Sequence, residues 1–148
     1  MGGETTGGTT TDSTEVFCPT GSTANILVES LPEALRLSSS AVITDSSILV
    51  CGGFPRSKTC NYIIPGRSDN WQPYGDLPVE LWGAGMQVIK NEVYFLGGDS
   101  SAGPTDNVYR SKPDTASPSW AKDGQMIQKR QGHCTAVWNN AVIIVTGK

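Results

Sequence analysis

From Ile26 onward the chain alternates short apolar runs with clusters of Gly, Pro, Asn, Asp and Ser. The clearest runs are "ILVC" at 48–51, "VYFL" at 93–96 and "AVIIV" at 141–145. Each is too short for a helix and is bounded by turn residues, which predicts strands. No stretch sustains a 3.6-residue period, and "LPEALRL" at 31–37 offers at most one helical turn. Residues 1–24 read differently: they are rich in Gly, Thr and Ser and nearly free of large apolar side chains. That composition does not offset the entropy of ordering and predicts a disordered tail.

The runs recur in phase. "SSILVCGG" ends at Gly53, "NEVYFLGG" at Gly98 and "NAVIIVTG" at Gly147, spacings of 45 and 49 residues. An ungapped match of 83–98 onto 132–147 pairs Gly83 with Gly132, Val88 with Val137, Asn91 with Asn140, Val93 with Val142 and Gly98 with Gly147. A second apolar run precedes each one through a polar turn: "SSAVIT", "GAGMQVI" and "GHCTAVW". After each complete glycine pair come a tyrosine and a tryptophan, Tyr62 with Trp71 and Tyr109 with Trp120. The predicted unit is four antiparallel strands, and strand-rich repeats of this period are propeller blades. The expected organisation is an isolated strand about 25–32, a repeat at 36–78, a repeat at 81–127 and a partial repeat at 130–148.

The residue types suit such a unit. A sheet covered on both faces carries continuous apolar runs instead of alternating ones. Gly52–Gly53 and Gly97–Gly98 let the chain leave the strand with positive φ and let backbones approach closely. The Tyr and Trp side chains are large wedges with a polar tip.

The glycine pairs, the Tyr62/Trp71 and Tyr109/Trp120 pairs and "RQGHCTAV" at 130–137 together resemble the kelch repeat family over about residues 36–148. His133 sits in the segment similar to that family's blade start, where the resemblance implies a structural hydrogen-bonding role. The implied fold is an all-β, kelch-type β-propeller. Two complete repeats and part of a third fall short of the four to eight blades of a propeller. The expectation is an incomplete propeller whose further blades come from a longer chain or from self-association. The resemblance implies a non-catalytic protein-interaction module that binds through loops. Carried onto this sequence, one loop set is Arg36, Leu81 and Arg130, and the other is Phe54, Pro55 and Arg56 with Asp99, Ser100 and Ser101. The arginines suit an acidic peptide, because their forks match carboxylates. Leu81 and Asp99 argue against that preference, and ordinary solvated loops are the competing reading.

Charge and cysteines narrow the choices. A net charge of −3 offers no basic face for nucleic acid. No apolar run approaches membrane-spanning length. Cys18, Cys51, Cys60 and Cys134 form no C-x-x-C pair, and His133 is the only histidine, so no metal site is expected. Cys51 and Cys60 flank one predicted turn and can face each other across an antiparallel pair. No secretory signal is visible at the N-terminus, which favours two reduced thiols in the cytoplasm. A Cys51–Cys60 disulfide would favour an extracellular, adhesive kelch protein instead. His133 and Cys134 are adjacent on one strand and point to opposite faces, so they make no catalytic dyad. Some kelch folds are oxidases or epimerases; with one histidine, no cofactor and no catalytic residue are assigned, and a fragment lacking catalytic blades is the remaining enzyme reading.

Overall fold

The computed structural model describes residues 2–15, 19, 28–67 and 70–148. Two four-stranded antiparallel sheets dominate. The first contains β3 (Ser39–Val42), β4 (Ile48–Gly53), β5 (Ser57–Ile63) and β6 (Gln72–Pro73) in that spatial order. The second contains β7 (Gly85–Ile89), β8 (Glu92–Leu96), β11 (Asn107–Ser111) and β12 (Ala121–Gln125), again in chain order. The short hairpin β9 (Asp99–Ser100) and β10 (Gly103–Pro104) lies between β8 and β11 in sequence. A third sheet has only β13 (Cys134–Trp138) and β14 (Ala141–Val145). The only helical element among the described residues is a 3-10 turn at Thr44–Ser46. The described chain is thus all-β, with several antiparallel sheets and no closed barrel.

The sheets stack edge-forward. β7 lies between β3 and β13. Ser39 Oγ donates to the Ala84 carbonyl at 2.7 Å, and Gln87 Nε2 donates to the Thr135 carbonyl at 2.9 Å. The two faces of β4 bury different layers, as continuous apolar strands require. Leu49 and Cys51 join Met86, Val93, Phe95, Tyr109 and Trp120 between the first and second sheets. Ile48 and Val50 join Leu31, Ile63 and Trp71 on the opposite face. Each buried tryptophan reaches backward to the preceding unit. Trp71 Nε1 donates to the Glu29 carbonyl and Trp120 Nε1 to the Gly75 carbonyl, both at 2.9 Å.

The turns set the register. Lys90–Asn91 and Asn139–Asn140 are two-residue turns with both residues at positive φ, which suits the twist of a tight hairpin. The first hairpin is longer. Val42 pairs with Ile48 across five residues, whereas its counterpart Val88 pairs with Val93 across four. The extra residue shifts the equivalences upstream of the turn by one position.

Residues 2–15 correct the expected tail. β1 (Gly3–Glu4) and β2 (Thr10–Thr11) form an antiparallel pair, as β9 and β10 do. Gly2 and Gly3 have φ of 62° and 136°, against 63° and 124° at Gly52 and Gly53. Gly3 N donates to the Leu35 carbonyl at 2.7 Å, just as Gly53 N donates to Leu81 and Gly98 N to Arg130, both at 2.8 Å. Leu31 N donates to the Asp12 carbonyl at 2.9 Å, matching Met126 N to Asp106 at 2.7 Å. Gly2 N donates to the Ser13 carbonyl at 3.0 Å, matching Gly97 N to Asn107 at 2.9 Å. The segment is therefore the back half of another repeat. Backbone hydrogen bonds hold it, and side-chain composition does not display those. The remainder of residues 16–27 apart from Pro19, including Cys18 and the start of the expected strand at 25–32, lies outside the described residues. Residues 28–32 are not in a strand, although Leu31 is buried.

Trp120→Ala is expected to destabilise the chain by about 3–5 kcal/mol in chemical denaturation, because it empties a buried site and orphans the Gly75 carbonyl. Trp120→Phe keeps a ring and is expected to cost less. An unchanged midpoint for Trp120→Ala would remove it from the intersheet core.

Candidate functional site

The glycine corners place the loops. Gly52 has φ of 63°, and a Cβ there would lie 2.4 Å from the Leu81 carbonyl oxygen. A Cβ on Gly97 would lie 2.6 Å from Met126 Cε and 2.8 Å from the Arg130 carbonyl oxygen. With no side chain at these corners, the loop after each pair docks on the loop that opens the next unit. Arg36 pairs with Phe54 as an isolated bridge, Trp82 pairs with Asp99, and Gln131 exchanges two backbone hydrogen bonds with Lys148. Leu37, Gly83 and Gly132 then link in series. Gly83 N donates to the Leu37 carbonyl at 2.8 Å and Gly132 N to the Gly83 carbonyl at 2.7 Å. All three have φ near 60°.

These pairings correct the expected loop set. Arg36 corresponds to Trp82 and Gln131, and not to Leu81 and Arg130, because of the extra residue in the first hairpin. Leu81 is fully buried in the intersheet core. Arg36 forms an ion pair with Glu4 and stacks over the Phe54 ring at 4.7 Å. Phe54 meets Trp82 edge-on with centroids 5.9 Å apart. Arg130 Nη1 donates to the Thr146 carbonyl at 2.7 Å and Nη2 to Gln128 Oε1 at 2.8 Å. Asp99 Oδ1 accepts from the Ser100 amide, and Ser100 Oγ donates to the Gly103 carbonyl. Arg36, Arg130, Asp99 and Ser100 therefore help to hold the scaffold together. Arg56 is exposed, and its guanidinium has no partner among the described residues.

An open space lies beside Ser100. An open cleft of about 510 Å³ runs between residues 79–81 and the β9–β10 hairpin, with Lys129 and Glu80 on its walls. Asn107 and Tyr109 form its floor, tied together by an Asn107 Nδ2 to Tyr109 Oη hydrogen bond of 3.3 Å. Ser101 projects from the exposed hairpin tip. Of the residues lining this cleft, Leu81, Ser100 and Ser101 are among the expected loop positions, whereas Val79, Glu80 and Lys129 belong to no glycine-pair or aromatic motif. Elsewhere on the second sheet, Arg110 bridges Glu92 at 3.1 Å and Asp123 at 3.0 Å, and Lys112 reaches Glu92 at 3.3 Å. The hydrogen bond from Arg110 chiefly holds the Glu92 carboxyl below the usual carboxylate range. This cluster ties three strands together.

The cysteines also differ from expectation. Cys51 and Cys60 are joined in a disulfide directly across β4 and β5, so they are not reduced thiols. Direct opposition in the ladder brings them within bonding reach. Cys134 is free and exposed. His133 is buried, and the Leu96 backbone is the polar group that acts on its ring, although neither ring nitrogen reaches good hydrogen-bond geometry. The imidazole fills space left by Gly85 and Gly97, with ring atoms 3.1 Å from where their Cβ atoms would stand. Among the described residues no three His, Cys, Asp or Glu side chains converge as a metal site, and no helix is long and apolar enough to cross a membrane.

No family model matches the chain, and no curated protein matches it. Solved structures do. One described as "Structure of YjhT" superposes with a TM-score of 0.69 at 20% identity, covering 80% of this chain. The likeness is one of fold. The chain spans 36% of the length of that structure.

Burial, and secondarily the Arg130 charge, push the His133 pKa down, against a weaker pull from the Leu96 backbone. The unfolded chain then binds the proton more readily than the folded one. Stability is expected to fall as pH drops below about 6.5, by at most about 1.4 kcal/mol per pH unit, and to level off below the folded pKa. Denaturation midpoints of wild type and His133→Gln across this range check it. Parallel profiles would assign the pH dependence to other groups.

Proposed function

We propose that the chain is a run of kelch-type β-propeller blades acting as a non-catalytic protein-interaction module. The observation that carries this reading is the cleft beside the β9–β10 hairpin, which combines a rigid floor with uncommitted groups at its rim. Its volume of about 510 Å³ is within the range of ligand sites. Glu80, Ser101 and Lys129 present charge of both signs and a hydroxyl, which suits an extended polypeptide more than a purely anionic ligand. The stacked four-stranded antiparallel sheets support a propeller, and the repeated loop interlocks support a scaffold that keeps its loops fixed.

Ser101→Trp fills the cleft from an exposed position and leaves the core untouched. Its unfolding midpoint is expected to match wild type, while retention of a specific partner on the immobilised chain falls at least about tenfold, a loss of about 1.4 kcal/mol. Identical retention by both proteins, read by quantitative mass spectrometry, would remove the cleft from the partner interface.

A second reading concerns the compartment. The Cys51–Cys60 disulfide favours an oxidising location and an extracellular, adhesive role over the cytoplasm. In protein isolated from its natural source under acid quench, Cys51 and Cys60 are expected to alkylate only after reduction, and Cys134 before it. Labelling of all three without reduction would return the protein to a reducing compartment.

A further inference from the structure

A smaller cavity lies at the opposite strand ends from the glycine corners. It holds about 210 Å³ and sits where the first unit meets the second. Thr44 and Ser47, from the turn between β3 and β4, line it together with Tyr62 and Tyr74. Pro113 and Thr115, from the loop between β11 and β12, close its other side. Bonds around the cavity fix its walls. Tyr74 Oη and Ser111 Oγ share a hydrogen bond of 2.9 Å, and Trp120 Nε1 donates to the Gly75 carbonyl at 2.9 Å. Thr115 Oγ1 donates to the Lys112 carbonyl at 3.1 Å, which folds that loop into a wall.

The hydroxyls inside are uncommitted. Ser47 is 6% exposed, and both of its backbone groups are in use: its amide donates to the Thr44 carbonyl, and its carbonyl accepts from Ile43. Its hydroxyl has no hydrogen-bond partner among the described residues, and the same is true of the Thr44 and Tyr62 hydroxyls. A buried hydroxyl without a partner is costly, and a bound group can supply the partner. Two of the walls are aromatic. Tyr62 and Tyr74 meet edge to face at 79°, with centroids 6.5 Å apart. Ring faces of this kind attract cations. The charges agree. No Lys, Arg or His is among the described lining residues. The Lys112 ammonium is held by Glu92 at 3.3 Å. Asp114 stands between the lining residues Pro113 and Thr115. Burial chiefly raises the Tyr74 pKa, the Ser111 hydrogen bond opposes this, and the Asp114 carboxylate raises it further, so negative charge acts on the cavity wall.

We propose that this cavity binds the primary ammonium group of a small organic amine. An ammonium carries three N–H donors and no acceptor. Thr44, Ser47 and Tyr62 bring three oxygens that can accept them, the tyrosine rings face the positive charge, and Asp114 balances it. An anion would meet aromatic rings and a carboxylate with no cation to answer it. A purely apolar ligand would leave the Ser47 hydroxyl unpaired. The site goes beyond the interaction-module reading and does not depend on it, because the cleft beside Ser100 lies at the other ends of the strands.

The probe is n-butylammonium chloride, titrated at low ionic strength into the whole isotope-labelled chain and followed by amide chemical shifts. Saturable shifts are expected at Ser47 and Thr115 and none at Ser101. The neutral analogue n-butanol is expected to give no saturable shift over the same range. Asp114→Asn, at an exposed position, is expected to weaken n-butylammonium binding at least about threefold. Tyr62→Leu is expected to weaken it at least about fivefold. Equal saturation by n-butanol, or no saturable shift at Ser47 with the ammonium, would overturn the site. Unchanged affinity in Asp114→Asn would overturn it too, and that variant decides the matter if Tyr62→Leu does not fold.

Discussion

A backbone corner that leaves no room for a side chain governs this molecule. At Gly2, Gly52 and Gly97 the chain turns with φ near 62° at the end of a unit, and the following amide donates to a carbonyl of the next unit's opening loop. The close approach that makes those bonds is the one a Cβ would block, at 2.3 Å, 2.4 Å and 2.8 Å from the accepting carbonyl oxygens respectively. Everything else follows in order. The corner fixes the loop, the loop fixes the neighbouring sheet, and the space between sheets is then filled by whatever the strand faces and the wedge residues supply. Thr146 adopts the same conformation at φ of 61° without being glycine, at the place where the next unit's loop is not present among the described residues.

The buried tryptophans add direction to this arrangement. Trp71 and Trp120 occupy the same position in successive units, and each spends its indole N–H on a carbonyl of the unit before it. Glycine corners thus tie a unit forward and indoles tie it backward. Between the two, little is left for the loops to do structurally, yet Arg36, Arg130, Asp99 and Ser100 are all engaged in holding them. Val79 and Glu80, and Ser101 on the hairpin tip, are exposed beside the cleft.

Much of the fold was legible because its determinants are periodic in sequence. Glycine pairs, two-residue Asn turns and buried aromatics each leave a mark at fixed spacing, and the sheets follow those marks closely. Two features escaped. The first hairpin holds one residue more than the others, so an ungapped comparison slid Arg36 onto Leu81, a half-exposed cation onto a core leucine. Residues 2–15 escaped because backbone amides and carbonyls hold them, leaving the side chains free to be Gly and Thr. The site was less legible than the fold. Charged loop residues look alike in sequence whether they face a partner or their own neighbours, and only coordinates reveal that Glu4 neutralises Arg36.

The placement of the glycine corner also bears on how such chains change over evolutionary time. Each corner lies inside a sheet, between its second and third strands, whereas the apolar layers and indole bonds lie between sheets. A duplication or deletion bounded by two corners adds or removes one period. It rejoins strands that already share a register and leaves every layer with a partner of the same design. Length variation of about one period is thus the change this architecture absorbs most readily, since each unit contacts only its neighbours. Insertions of a few residues are confined to hairpin turns, as the extra residue before Ile48 illustrates.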